Sequence, residues 1–242
     1  MPTRRRMDHL PRSAIAGQAT FVGCLARITI ARHALRQLLP ESIAFAESGG
    51  ADHPCLLVFG EQRDGTTLFG GLPVPWGITY HELLFAVPFV RWRESAREHL
   101  FVSGMICDFW PAVWNGNFYY GFNKRFMRMS WHGDRFSVND TSSRPSFTAS
   151  IDRNVPTSRD ALDWIRSAAS LPVLGHRRDG VFVRSQFEWD FSKAVVEAAA
   201  VTFAPGRQIP DIPLPGSVVC VDAFRVARMC WRLTWPEPAT FA

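Results

Sequence analysis

The chain has 242 residues, 47% of them apolar, with 19 Phe and 9 Trp, which is ample for a large core and excludes a disordered chain. No run of 18 apolar residues is present that would cross a membrane as a helix. Of the formal charge of +5, Arg4, Arg5, Arg6 and Arg12 against Asp8 place +3 in residues 1–12, and a basic tail on a nearly neutral body with no nucleic-acid motif argues against a nucleic-acid partner.

In chain order, residues 1–14 read as a disordered basic leader, and residues 15–242 as one domain without an internal linker. The leader has no apolar stretch after its arginines, so a secretory signal is not expected. Gln18–Ile30 is rich in β-branched residues and predicts a strand. Ala31–Leu39 has apolar residues at 35, 38 and 39, the spacing of a short helix stopped by Pro40. Strands follow near 54–62, 67–69, 78–90 and 100–107, then a short aromatic turn or helix around Pro111. Further strands are expected near 126–132, 135–139, 146–151, 181–190, 196–204 and 217–235. A helix over Ser158–Ala169 would be capped by Ser158 and bury Ala161, Leu162, Ile165 and Ala168. Strands outnumber helices and do not alternate with them. The expected class is therefore mainly β (α+β), antiparallel, with a few helices packed outside.

Cys24, Cys55, Cys107, Cys220 and Cys230 are odd in number and widely spaced, with no C-x-x-C pair. They read as buried free thiols of a reducing, cytoplasmic protein. The seven His are equally scattered, and no metal site is expected. The basic residues are more telling. Of 27, all but Lys124 and Lys193 are Arg. Where Arg supplies positive charge throughout, a Lys stands out as a group that can lose its proton and attack a carbonyl.

Two segments carry the candidate chemistry. In Ile78–Val90 both alternating faces are largely apolar, so the strand is expected to be buried on both sides, with Glu82 among apolar neighbours as a proton carrier or as a structural hydrogen-bonding group. In Gly116–Arg125, an extended chain would align Phe118, Tyr120, Phe122 and Lys124 on one face. Lys124 would then follow three rings into an apolar setting, where desolvation lowers its pKa. The other reading is a turn at Gly121-Phe122-Asn123 that leaves Lys124 and Arg125 in solvent.

Read in order, four blocks resemble the acetoacetate decarboxylase family. They are His33-Ala34-Leu35-Arg36-Gln37-Leu38-Leu39-Pro40-Glu41, Tyr80-His81-Glu82 with Ala86-Val87-Pro88, Asp108-x-x-Pro111-Ala112-x-x-x-Gly116, and Gly121-Phe122-Asn123-Lys124-Arg125. The last is similar to a Gly-Phe-Pro-Lys-Lys signature whose first Lys forms a Schiff base. The resemblance implies a closed or nearly closed antiparallel β-barrel with a central pocket and flanking helices, a self-associating chain, and no metal or organic cofactor. It puts Lys124 on the Schiff-base lysine, Glu82 on the acid of a Tyr-x-Glu motif, and Arg125 on a second cationic position. Tyr80, Trp114, Phe118, Tyr120 and Phe122 are expected to contact substrate.

The chain departs from the pattern in four places. Asn123 replaces Pro, and Gly116-Asn117-Phe118 stands where Gly-Arg-Glu is usual. A second acidic position falls near Gly60, with Glu61 one residue out of register, and no Arg stands near Phe21. The implied activity is decarboxylation of a β-keto acid or related oxo acid. Aldol or dehydration chemistry through the same imine, and ligand binding without turnover, are the alternatives.

Overall fold

The computed structural model describes residues 15–47, 49–69, 72–73, 77–92, 95–140, 144–153, 159–204, 209, 212 and 222–239. The basic leader, Ser158 as a helix cap, Cys220 and the start of the last expected strand lie outside the described residues. The chain begins with β1 (Ile15–Ala31), α1 (Arg32–Arg36), β2 (Ile43–Phe45), β3 (Asp52–Phe69), β4 (Leu72–Pro73), β5 (Ile78–Trp92) and β6 (Glu98–Cys107). Then come α2 (Trp110–Asn115), a π-helical turn over Gly116–Tyr120, β7 (Lys124–Phe126), β8 (Arg128–His132), β9 (Arg135–Asn139), β10 (Pro145–Asp152) and α3 (Arg159–Ala169). The chain closes with β11 (Val173–His176), β12 (Phe182–Ser185), β13 (Phe187–Trp189), β14 (Val195–Ala204), β15 (Asp222–Thr234) and β16 (Glu237–Pro238).

The strands join in the order β16-β12-β11-β6-β5-β3-β1-β15-β14-β10-β9-β8. The long central strands pair antiparallel as sequential neighbours, Gly60 lying opposite Glu82 and Glu82 opposite Cys107. The expectation of a closed, wholly antiparallel barrel is not met. Among the described residues the two end strands do not pair, and β6 runs parallel to both β7 and β11. At one end the reason is local. β16 is two residues long and ends at Pro238, which has no N–H to extend a ladder. The β6–β7 pairing is parallel because α2 and the π-turn carry the chain back beside β6, a crossover that tight hairpins cannot make.

Burial of the central strands on both faces explains their unbroken apolar runs. One core takes Leu57, Phe59, Leu83, Phe85 and Val87. The opposite core takes Leu56, Val58, Leu84 and Ala86. Helix α3 lays Ala161 and Ile165, one turn apart, onto the second core, as its spacing predicts. Phe21 and Phe59 are fully buried; truncating either to Ala is expected to cost about 3–5 kcal/mol. Of the described cysteines, Cys24, Cys55 and Cys107 are buried free thiols. Cys230 is exposed, against expectation, because it sits on the outward face of β15. Among the described residues no helix is long and apolar enough to cross a membrane.

Candidate active site

The segment before Lys124 is helical, not extended. Pro111 lies in the first turn of α2, where its missing N–H costs nothing. The helix then widens into the π-turn, which ends at Gly121 with φ +63°. There is no room for a side chain at Gly121, since a Cβ would lie 2.6 Å from the Arg177 nitrogen. The turn is docked on β11 by a hydrogen bond from the His176 N–H to the Gly121 carbonyl, 3.1 Å. Asn123 also has positive φ, +49°, a conformation Asn tolerates better than most residues. From there β7 starts beside Met105 of β6.

This path brings Lys124 to Glu82. Lys124 Nζ donates to Glu82 Oε2 at 2.7 Å, and the two side chains are only 8% and 10% exposed. Glu82 is held from its other side. Gln62 Nε2 donates to Glu82 Oε1 at 3.4 Å, and Trp231 Nε1 donates to Gln62 Oε1 at 2.7 Å. The indole fixes which end of the Gln62 amide faces the carboxylate, so both Glu82 oxygens accept hydrogen bonds. Burial is the largest influence on the Lys124 ammonium and pulls its pKa down. The adjoining Glu82 charge, with Cys107 and the Glu82 hydrogen bond, outweighs it and raises the value above the ordinary lysine range. That corrects the expectation that desolvation leaves the amine acidified: a contacting carboxylate reverses the sign.

The pair opens into a cavity of about 440 Å³. Phe109, Phe122, Phe187, Trp231 and Leu233 supply apolar wall, while Gln18, Thr66 and Asn115 add neutral polar groups. Tyr80 lines the same space with its ring stacked on Phe109 at 5.8 Å. Burial, and then the Glu82 charge, raise the Tyr80 hydroxyl well above the usual tyrosine value, so it stays a neutral donor. Burial also pushes the Cys107 thiol up to about 11, against the pull of Lys124.

Of the residues singled out from sequence, Lys124, Glu82, Tyr80, Tyr120 and Phe122 converge on this cavity. Trp114 and Phe118 do not. They are exposed and stack on each other at 5.3 Å on the outer face, because helical turns, not alternation, set their directions. Arg125 is exposed on β7 and does not line the cavity. Lys193, the other lysine, is 83% exposed beside Asp190.

Sequence reasoning missed Gln62, Trp231 and Asn117. Gln62 had a legible signal: it is in phase on β3 with apolar Leu56 and Val58, on the face that Glu82 shares with Leu84 and Ala86. Glu61, the acid considered instead, points away and pairs with Arg63 at 2.6 Å.

The chain has the acetoacetate decarboxylase-like fold, shown by its superposition on solved structures of that fold. Acetoacetate decarboxylase from Legionella pneumophila subsp. pneumophila str. Philadelphia 1 superposes with a TM-score of 0.62 at 15% identity, covering 99% of this chain and 92% of that one. An acetoacetate decarboxylase-like enzyme from Sphingomonas wittichii RW1 gives 0.66 at 12% identity over 96% and 95%. The enduracididine biosynthesis enzyme MppR, in complex with the condensation product of pyruvate and imidazole 4-carboxaldehyde, gives 0.61 at 14% over 92% and 88%. No protein-family model matches the sequence, and no curated protein matches it.

Proposed function

We propose that this protein is a lysine-imine lyase that decarboxylates a β-keto acid or related oxo acid bearing an apolar tail. The observation that carries the reading is the buried Lys124–Glu82 contact of 2.7 Å at the wall of a largely apolar cavity. Two opposite charges out of water are each poorly solvated. Moving one proton from Lys124 to Glu82 removes both charges at once and leaves a neutral amine, the form that attacks a carbonyl.

Addition of Lys124 Nζ to the ketone carbon gives a carbinolamine, whose hydroxyl leaves as water with a proton taken up from solvent, so that Glu82 keeps the one it received from Lys124. The resulting iminium draws the electron pair of the adjacent C–C bond as CO₂ departs, leaving an enamine. A proton delivered by Glu82 to the carbon restores the iminium, and water hydrolyses it to free Lys124 and the ketone. The neutral Tyr80 hydroxyl, on the wall of the same cavity, is the donor this reading assigns to the developing oxygen. The cavity volume lies within the roughly 300–1,000 Å³ of pockets that enclose ligands of drug size, far more than a four-carbon acid needs. An aromatic or branched acyl tail lying along Phe122, Phe187 and Leu233 fits that space.

A second reading has one observation behind it. The same volume has room for two carbonyl compounds, and an enamine formed on Lys124 from one can attack the other, as in an aldol addition followed by dehydration. A panel of β-keto acids and of pyruvate–aldehyde pairs, followed for CO₂ release and for condensed product, separates the two. CO₂ release that improves with tail size supports the proposal. Condensed product without CO₂ supports the second reading, and a preference for acetoacetate over every longer acid contradicts the apolar-tail assignment.

A further inference from the structure

We propose that Asn117 is a positioning residue: its side-chain amide clamps the main chain of Lys124 and so sets the direction from which the amine approaches a carbonyl. The proposal rests on Lys124 being the imine-forming amine.

The geometry is that of a missing strand. Just before β7, the Asn123 carbonyl faces β6 and accepts from the Met105 N–H at 3.5 Å. Adjacent residues of a strand point their main-chain groups to opposite sides, so the N–H and C=O of Lys124 face away from β6. Asn117 meets both. The Lys124 N–H donates to Asn117 Oδ1 at 2.5 Å, and Asn117 Nδ2 donates to the Lys124 carbonyl at 2.8 Å. One amide side chain thus satisfies the two groups that a neighbouring strand would otherwise pair, at the residue whose side chain carries the reactive nitrogen.

Gly116 completes the slot. A Cβ there would lie 2.6 Å from both Cδ and Cε of Lys124, so the lysine stem runs directly over the Gly116 backbone. Consecutive residues of the π-turn therefore grip Lys124 at two levels, Gly116 by close approach to its methylenes and Asn117 by hydrogen bonds to its main chain. Glu82 holds the tip. An ordinary α-helical continuation would turn position 117 to a different bearing, which assigns the widened turn a purpose: it aims this amide at Lys124. Misplacement of a reacting group by about 1 Å can cost on the order of 100-fold in rate, so a clamp on the main chain matters even where the ion pair survives.

The chain has only two lysines, so ¹³Cε-lysine labelling gives two signals, with exposed Lys193 as the internal reference. The experiment follows those signals against pH in the full chain and its Asn117→Ala variant. In parallel it measures the rate at which cyanoborohydride traps pyruvate on Lys124, as a function of pyruvate concentration. The expected result is a displaced Lys124 signal with a shifted titration midpoint, an unmoved Lys193 signal, and trapping at least 10-fold slower with little change in half-saturation. Asn117→Asp keeps an acceptor for the Lys124 N–H; it should recover part of the rate, and it carries the test if the Ala variant does not fold. Trapping within twofold of the unsubstituted rate, with an unmoved Lys124 signal, overturns the proposal. Absence of any adduct in the unsubstituted protein counts against the imine reading instead, and the Lys124 signal then decides the role of Asn117 alone.

Discussion

Glu82 and Lys124 are 42 residues apart in the chain and 2.7 Å apart in space, each nearly closed off from water. On the proposed reading, the carboxylate beside Lys124 holds the amine's proton until a carbonyl arrives. The contact predicts a split in the Glu82→Gln variant. With the carboxylate gone, burial becomes the dominant influence on Lys124 and its amine is freed at lower pH. Imine trapping at neutral pH should therefore persist or quicken, while full turnover drops at least 100-fold because proton return is lost. Trapping and turnover that fall together would contradict this.

The same pair has a signature in stability. The folded protein holds the Lys124 proton more tightly than an unfolded chain does. Its contribution is therefore fully present below the ordinary lysine value of 10.5 and fades as pH climbs past the raised value. Removing one partner of a buried pair costs up to about 3–5 kcal/mol. The melting-temperature gap between the protein and Glu82→Gln should be open at neutral pH and narrow in strongly alkaline buffer.

Gln62 and Trp231 act on Glu82 from behind. Replacing Gln62 by Leu leaves the Trp231 N–H and one Glu82 oxygen without their partners, each buried orphan costing about 1–3 kcal/mol. The expected outcome is a lowered melting temperature and a reduced kcat with KM little changed. Trp231→Phe should show the milder form of both effects.

Gly116→Ala should separate position from stability. The three atoms nearest the added methyl are all in the flexible stem of Lys124. The fold should survive with a near-normal melting temperature while trapping at Lys124 falls by about 100-fold. Gly175→Ala is the contrast. Its methyl would overlap the Tyr120 carbonyl, and backbone cannot move aside as a side chain can, so the loss should appear as unfolding.

Trp114→Ala, Phe118→Ala and Arg125→Ala should each leave trapping within twofold of the unsubstituted protein, with the pH profile unmoved. All three side chains are exposed outside the cavity. A displaced profile in Arg125→Ala would restore the cationic neighbour to the mechanism.

These residues also show what the sequence could and could not reveal. Period-two apolar runs in β3 and β5 made the doubly buried central strands legible, and the scarcity of Lys drew attention to Lys124. The turn or helix expected around Pro111 is α2, but the extended reading of Gly116–Tyr120 misled because aromatic residues favour strands on average, while the helix begun at Pro111 runs on through them as the π-turn. Tyr120 and Phe122 reached the cavity by way of Gly121, not by alternation with Phe118. Barrel closure was unreadable because it depends on what two short terminal strands meet. The Gln62–Trp231 bond spans 169 residues and has no local trace.

The most direct test of the account is borohydride reduction in the presence of an oxo acid, followed by peptide mapping. The account predicts a single reduced adduct on Lys124, none on Lys193, and none in the Lys124→Arg variant, which keeps the charge but cannot form an imine. Full turnover by Lys124→Arg, or an adduct confined to Lys193, would contradict it.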